Sequence, residues 1–186
     1  MKGINEMIIR ELKGEEFVQA ADLKVSCWDE EIAGLIPNRL VREKELNFLI
    51  QWLDTAEEYN DIRIVYGAFE NQEFMGFIGV SCAEEDNINN CIELNYLFVD
   101  QKFRGQGIAL KLLIKILEKF IPKGFSKLVV YNNHCASSNS FYRKLGGEVI
   151  RQTMQGIPGE QLLVDIFLFD TEALRRNVEN IICKGH

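Results

Sequence analysis

The sequence predicts a single-domain α+β protein built on a mixed, mostly antiparallel sheet. Two alternating segments, residues 62–69 and 74–82, are separated by Glu70-Asn71-Gln72-Glu73, which reads as a hairpin turn, and the run Cys91–Val99 extends them into a meander. An amphipathic helix then separates that run from another short apolar strand at 127–131, and a strand–helix–strand crossover forces one parallel step. Finally, 186 residues of which 47% are hydrophobic can bury one good core, and no Pro/Ser-rich linker divides them.

Along the chain, residues 7–12 read as a first strand and 15–28 as a helix burying Phe17, Ala20, Ala21 and Val25. Pro37 is placed to start another helix, and Leu46, Leu49, Ile50 and Leu53 mark an amphipathic one running to about Glu58. After the meander, Asp100 to Phe103 make a turn. Leu110, Leu113, Ile114 and Leu117 then recur at helical spacing with Lys111, Lys115, Glu118 and Lys119 on the opposite side. Strands at 127–131, 148–154 and 161–169 and a helix at 137–145 complete the domain over 1–170, with a turn at Gly156-Ile157-Pro158-Gly159. The tail, 171–186, carries a short helix that packs on the domain or on a second subunit.

The most informative stretch is Arg104-Gly105-Gln106-Gly107-Ile108-Ala109, because it joins a strand to the central amphipathic helix. The first helical turn has backbone N–H groups without intrahelical partners and the positive end of the peptide dipoles, so an anion is favoured there. Two glycines let backbone approach a phosphate closely, and Arg104 offers a charge-assisted hydrogen bond. No Gly-Lys-Ser/Thr closes the turn and the three spaced glycines of a dinucleotide fingerprint are missing, which removes two commoner phosphate-binding motifs.

Arg-x-x-Gly-x-Ala after a strand, then an amphipathic helix, a second strand, and a helix ending Phe141-Tyr142-Arg143-Lys144-Leu145-Gly146-Gly147, resembles the GNAT superfamily of acyl-CoA-dependent N-acyltransferases. The resemblance is most specific over about residues 91–147. It implies helices on both faces of the sheet, and a six-residue turn at 104–109 whose amides wrap the pyrophosphate of acetyl-CoA, the co-substrate. It also implies an early helical region that closes over the acceptor.

Moving an acetyl group from a thioester to an amine needs a polarised carbonyl, a proton for the departing thiolate and a deprotonated amine. For the carbonyl, the resemblance points to backbone N–H groups of Leu97, Phe98 and Val99; the plain alternative is core strand. For the acid it points to Tyr142, a phenol with an ordinary pKa around 10; the alternative is an aromatic filling a face already apolar at Phe141 and Leu145. For the base, Glu93 lies on the same strand, with the side-chain parity of Leu97 if no bulge intervenes; the alternative is a glutamate facing solvent. Asn95 and Tyr96 are candidates for orienting a water or the acceptor. Many members of the family carry an asparagine seven residues before the tyrosine that bonds the pantetheine arm. Cys135 stands there, and Asn132, Asn133 or Asn139 can replace it only in a differently arranged loop. A covalent role for Cys135, with His134 as activator, is disfavoured because neighbouring residues rarely point the same way and direct transfer needs no protein nucleophile.

Net charge −7 and a pI near 5.0 argue against nucleic acid as partner and permit a cationic substrate. The run Glu84-Glu85-Asp86 reads as a solvated loop or a weak steering element. Neither a membrane span nor a signal peptide is visible, so a cytoplasmic protein is expected. Five cysteines without a C-x-x-C pair, and only His134 and His186 as imidazoles, give no metal site or disulfide framework; most of the thiols are expected to be reduced core residues. The leading function is acetyl transfer to a primary amine by direct attack. A non-catalytic CoA-binding sensor and a longer acyl donor are the alternatives. A polyamine, amino acid, aminoglycoside, protein N-terminus or lysine all fit as acceptor, and the resemblance implies a homodimer.

Overall fold

The computed structural model describes residues 7–31, 40–83, 88–157 and 160–184. Pro37, the Glu84-Glu85-Asp86 run, Pro158, Gly159 and His186 lie outside them. The elements are β1 (Ile8–Glu11), α1 (Glu16–Glu31), α2 (Arg42–Asp54), β2 (Ile64–Glu70), β3 (Glu73–Cys82), β4 (Cys91–Val99), α3 (Ile108–Phe120), β5 (Lys127–Asn133), α4 (Asn139–Lys144), β6 (Glu148–Ile157), β7 (Glu160–Asp170) and α5 (Thr171–Lys184). They build one seven-stranded sheet in the order β1-β2-β3-β4-β5-β7-β6, in which β4 and β5 are parallel and every other pair antiparallel. The expected mixed sheet with one parallel step is present.

Helices cover both faces. On one side α3 buries Ile108, Leu112, Leu113, Ile116, Leu117 and Phe120 against Ile78, Val80, Ile92, Leu94, Leu128 and Val130, joined by Tyr142 of α4, Leu145 just after it, and Leu174 and Val178 of α5. On the other, Ala20 of α1 and Leu49 of α2 pack on Val65, Phe69, Phe77 and Tyr96. The hairpin between β2 and β3 turns on Asn71 and Gln72, both with positive φ (50° and 69°), the geometry of a two-residue turn that matches the twist of its strands.

The regular pattern expected of α1 and β4 is broken in two places. α1 runs one turn past Trp28 and ends on Asp29, Glu30 and Glu31, with no basic residue in its last turn. β4 carries a bulge: Gly79 is opposite Tyr96 and Val80 opposite Leu94, so Asn95 is the extra residue, its side-chain oxygen accepting from Ser81 Oγ at 3.0 Å. Of the cysteines, Cys27 and Cys91 are buried, Cys82 is half-buried, and Cys135 and Cys183 are exposed, so the expectation of mostly core thiols is only partly met.

Candidate active site

β4 and β5 pair at only three positions, Cys91–Lys127, Ile92–Leu128 and Glu93–Val129, although both strands continue well beyond them. β3 stays registered with β4 to Val99 and β7 with β5 to Asn133, so it is the central seam that opens. The opening leads into a cavity of about 760 Å³, large enough for a cofactor-sized molecule. Leu94, Asn95, Leu97, Phe98 and Val99 line one side of it, and Val130, Tyr131 and Asn132 the other.

The turn 104–109 forms the next part of the lining, with Arg104, Gly105, Gln106, Gly107 and Ala109 all on the cavity. Gly105 and Gly107 have φ of +79° and +75°, which only glycine adopts without strain, and a Cβ at either would meet nothing within 4 Å. Gly107 is the N-cap of α3, so no side chain caps the helix, and the first-turn N–H groups are left to water or to a ligand. Ile108 is 3% exposed and points into the core, so it can contribute to the cavity only through its backbone.

Arg104 does not extend freely over its own turn. Its Nε donates to the Val99 carbonyl at 3.0 Å, Nη1 to the Glu30 carboxylate at 2.6 Å, and Nη2 to Cys27 Sγ at 3.4 Å. α1 is therefore tied across the cavity mouth, and its next residue, Glu31, accepts from Ser138 Oγ at 2.6 Å on the opposite wall. Cys27, Trp28, Glu30 and Glu31 all line the cavity. With α1 running to Glu31, three acids at the negative end of the helix oppose its dipole and call for a cation from elsewhere.

Tyr142 faces the same space from α4, 8% exposed, its ring edge-on to Phe141 and tilted against Phe167. Burial, with a smaller contribution from the Glu31 carboxylate, raises its phenol well above the ordinary value, so it stays protonated through the neutral range.

Glu93 is placed differently. Ile92 and Leu94 face α3, and beyond the bulge Leu97 and Val99 take that face, so Glu93 has the parity of Tyr96 and Phe98, opposite to Leu97. The condition attached to the expected shared parity is not met. Glu93 is half-buried, outside the cavity lining, and close enough to Tyr96 for its charge to add to the burial that raises that phenol. Lys24 of α1, paired with Glu45 of α2, lies 5.0 Å from the Tyr96 ring centre on the same face.

The loop from β5 to α4 is the arrangement the missing asparagine made uncertain. Cys135 is exposed and does not line the cavity. Asn139 is buried and donates to the carbonyls of Asn133 and His134, while Asn132 donates to Ser138 Oγ and Asn139 Oδ1. Asn132 and Ser138 reach the cavity; Asn133 and Asn139 hold the loop. Below them Asp165, 1% exposed, accepts from Gln152 at 2.7 Å, lies 2.8 Å from His134 Nδ1, and meets Arg143 of α4 at 3.4 Å. Burial alone would raise its pKa, but these hydrogen bonds and charges hold it below the ordinary carboxylate value.

The sequence model of the Acetyltransferase (GNAT) family matches residues 25–147. The chain belongs to the GNAT acetyltransferase family. Solved structures similar to it include the PaiA N-acetyltransferase of Thermoplasma acidophilum in complex with coenzyme A, at 21% identity and TM-score 0.66 over 89% of this chain and 99% of that one. The ribosomal-protein-alanine N-acetyltransferase of Brucella melitensis is 17% identical with TM-score 0.66, over 88% and 99% of the two chains. yncA of Salmonella typhimurium with its cofactor acetyl-CoA is 17% identical with TM-score 0.65, over 89% and 94%. At these identities the likeness is one of GNAT fold. No curated protein matches the chain in sequence. Among the described residues no helix is long and apolar enough to cross a membrane, and no cluster of three or more His, Cys, Asp or Glu side chains is arranged to hold a metal ion.

Proposed function

We propose that this GNAT protein transfers an acetyl group from acetyl-CoA to a primary amine by direct attack in a ternary complex. The observation that carries the reading is the junction of three features in one cavity: uncapped N–H groups at the start of α3, the opened β4–β5 seam, and a buried tyrosine. The uncapped turn, with no Cβ at Gly105 or Gly107, fits a diphosphate, because unpartnered amides at a helix start and the helix dipole both favour negative charge there. Acetyl-CoA, when bound, supplies an activated thioester acyl group.

In this reading the residues divide the work by position. Within Leu97 to Val99, the backbone N–H that faces the edge of β4 that β5 has left hydrogen-bonds the acyl carbonyl oxygen and stabilises the negative charge that develops there. Tyr142 remains a neutral phenol and donates a hydrogen bond to the sulfur as it gains charge. Its raised pKa makes it a better lasting donor than a proton source. Glu93 takes a proton from the acceptor ammonium, directly or through a water, on the opposite face of the sheet, so the amine enters from the side of α1 and α2; the freed amine attacks the thioester carbon, the C–S bond breaks as the carbonyl re-forms, and the remaining ammonium proton of the adduct passes to the departing sulfur, which leaves as the CoA thiol. The same reading has a small-molecule or peptide amine as acceptor, a cytoplasmic setting and a pair of subunits.

Calorimetric titration with acetyl-CoA and with CoA, followed by a panel of amines assayed for thiol release, tests the proposal. Saturable one-to-one binding with amine-dependent release is expected. Binding without release across a broad panel would replace catalysis by sensing, and absence of binding would overturn the donor assignment.

A further inference from the structure

We propose that Glu30 is a positioning residue that occupies Arg104 in the unliganded protein and gives it up to the diphosphate of the donor, coupling donor binding to the seating of α1. The inference rests on the reading of acetyl-CoA as donor. All three guanidinium nitrogens of Arg104 are engaged, by Val99, Glu30 and Cys27, so the cation next to the phosphate turn is neutralised by a carboxylate of another helix. Glu30 lines the same cavity as Gly105, Gln106 and Gly107, and a diphosphate resting on their amides would compete with it for Arg104, leaving the carboxylate an uncompensated charge beside the phosphates unless Glu30 withdraws. Withdrawal meets little resistance in one respect. The pair is water-accessible, with Arg104 43% and Glu30 40% exposed, so water readily replaces either partner.

The alternative duty for Glu30, stabilising its own helix, is the wrong way round. It sits in the last turn of α1 beside Asp29 and Glu31, where carboxylates meet the negative end of the dipole. Arg104 relieves that repulsion, and a phosphate that recruits Arg104 restores it. α1 also carries Lys24, which sits over Tyr96 and pairs with Glu45 of α2. A shift of α1 on donor binding is therefore felt on the face that holds Glu93, and by linkage whatever binds that face changes donor affinity by the same factor.

Titration of the wild-type chain and of Glu30→Gln with CoA, at low and at high salt and alongside thermal midpoints of the unliganded proteins, tests the inference. Glu30→Gln is expected to bind CoA roughly three- to tenfold more tightly at low salt, with the gain shrinking at high salt, while its unliganded midpoint changes little, because loss of the exposed ion pair is offset by relief of repulsion at the helix end. Tighter binding without a fall in the midpoint is the signature, since loss of a merely structural glutamate would lower both. Glu30→Asp, which keeps the charge, is expected to tighten binding less than Glu30→Gln. If the wild type binds CoA and Glu30→Gln binds it equally or more weakly, the coupling is overturned and the donor reading stands; if the wild type binds no CoA, both fall.

Discussion

The two walls of the cavity are held by different chemistry. On the α1 side the closing contact is an ion pair, Arg104–Glu30, with both partners more than a third exposed. On the β5–α4 side the loop is held by Asn139, 4% exposed, and by Asp165, 1% exposed, each hydrogen-bonded to several groups. Water reaches both partners of the first contact but is kept from the Asn139 and Asp165 side chains at the centre of the second, although His134 and Arg143 are themselves exposed, so the first exchanges partners at little cost while loss of the second leaves buried polar atoms unsatisfied. One wall is built to yield and the other to hold Tyr142 in place.

The sharpest test of the fixed wall is Tyr142→Phe. The ring remains and keeps its packing against Phe167, so CoA affinity is expected to stay within about twofold, while kcat falls roughly 10- to 100-fold through loss of one donor at the leaving sulfur. Thiol-release kinetics beside calorimetry separate the two effects, and an unchanged kcat would remove the tyrosine from the mechanism.

Asp165→Asn probes what fixes that wall, and is expected to cost about 1–3 kcal/mol of stability because His134 and Arg143 lose a charged partner. The pH dependence has a defined sign. With its folded pKa held below the unfolded value of about 3.9, the carboxylate contributes stability that is fully present above that value and is lost as pH falls through the folded one. The wild-type thermal midpoint should therefore fall more steeply with acid than that of Asp165→Asn. Parallel curves would mean that Asp165 is not the group responsible.

How far the sequence announced these walls differs between them. Strand β4 and the turn after it were legible because alternation, glycines and a helical repeat are local signals, and β4 has the expected bounds. The opening of the β4–β5 seam was not legible, since it depends on where two distant segments cease to pair. Nor was the bulge at Asn95, which reverses the side of the sheet on which Glu93 lies; a polar Asn with Ser81 across the ladder is only a faint hint of it. The acids at 29–31 fell outside the helix expected over 15–28, so neither their place in its last turn nor the pairing of Glu30 with Arg104, 74 residues away in the chain, was legible. Ile181 and Ile182 of α5 reach the cavity from a tail read only as a short helix that packs on the domain or on a second subunit.

On the yielding side, Gly107→Ala separates backbone geometry from charge. An L-residue at φ +75° carries roughly 1–2 kcal/mol of strain, and relief of that strain turns the first amides of α3 away from the cavity. CoA affinity is expected to fall about tenfold, with the thermal midpoint lowered by roughly 2–8 °C. A loss of stability with unchanged affinity would show that the turn serves the fold rather than the ligand.

Arg104→Ala is the smallest and most discriminating of these changes. If Arg104 acted on the donor alone, its removal would cost a full charge-assisted hydrogen bond. Because Glu30 neutralises it before the ligand arrives, the net loss is the difference between two ion pairs, to which the newly unpaired Glu30 adds repulsion. CoA affinity is expected to fall only a few-fold, and the deficit to shrink as salt screens Glu30. Adding Glu30→Gln to Arg104→Ala should then recover part of the lost affinity. Calorimetry on the two single variants and the double variant reads this directly, and a double variant no better than Arg104→Ala would mean that Glu30 and the diphosphate never compete for the same side of the cavity.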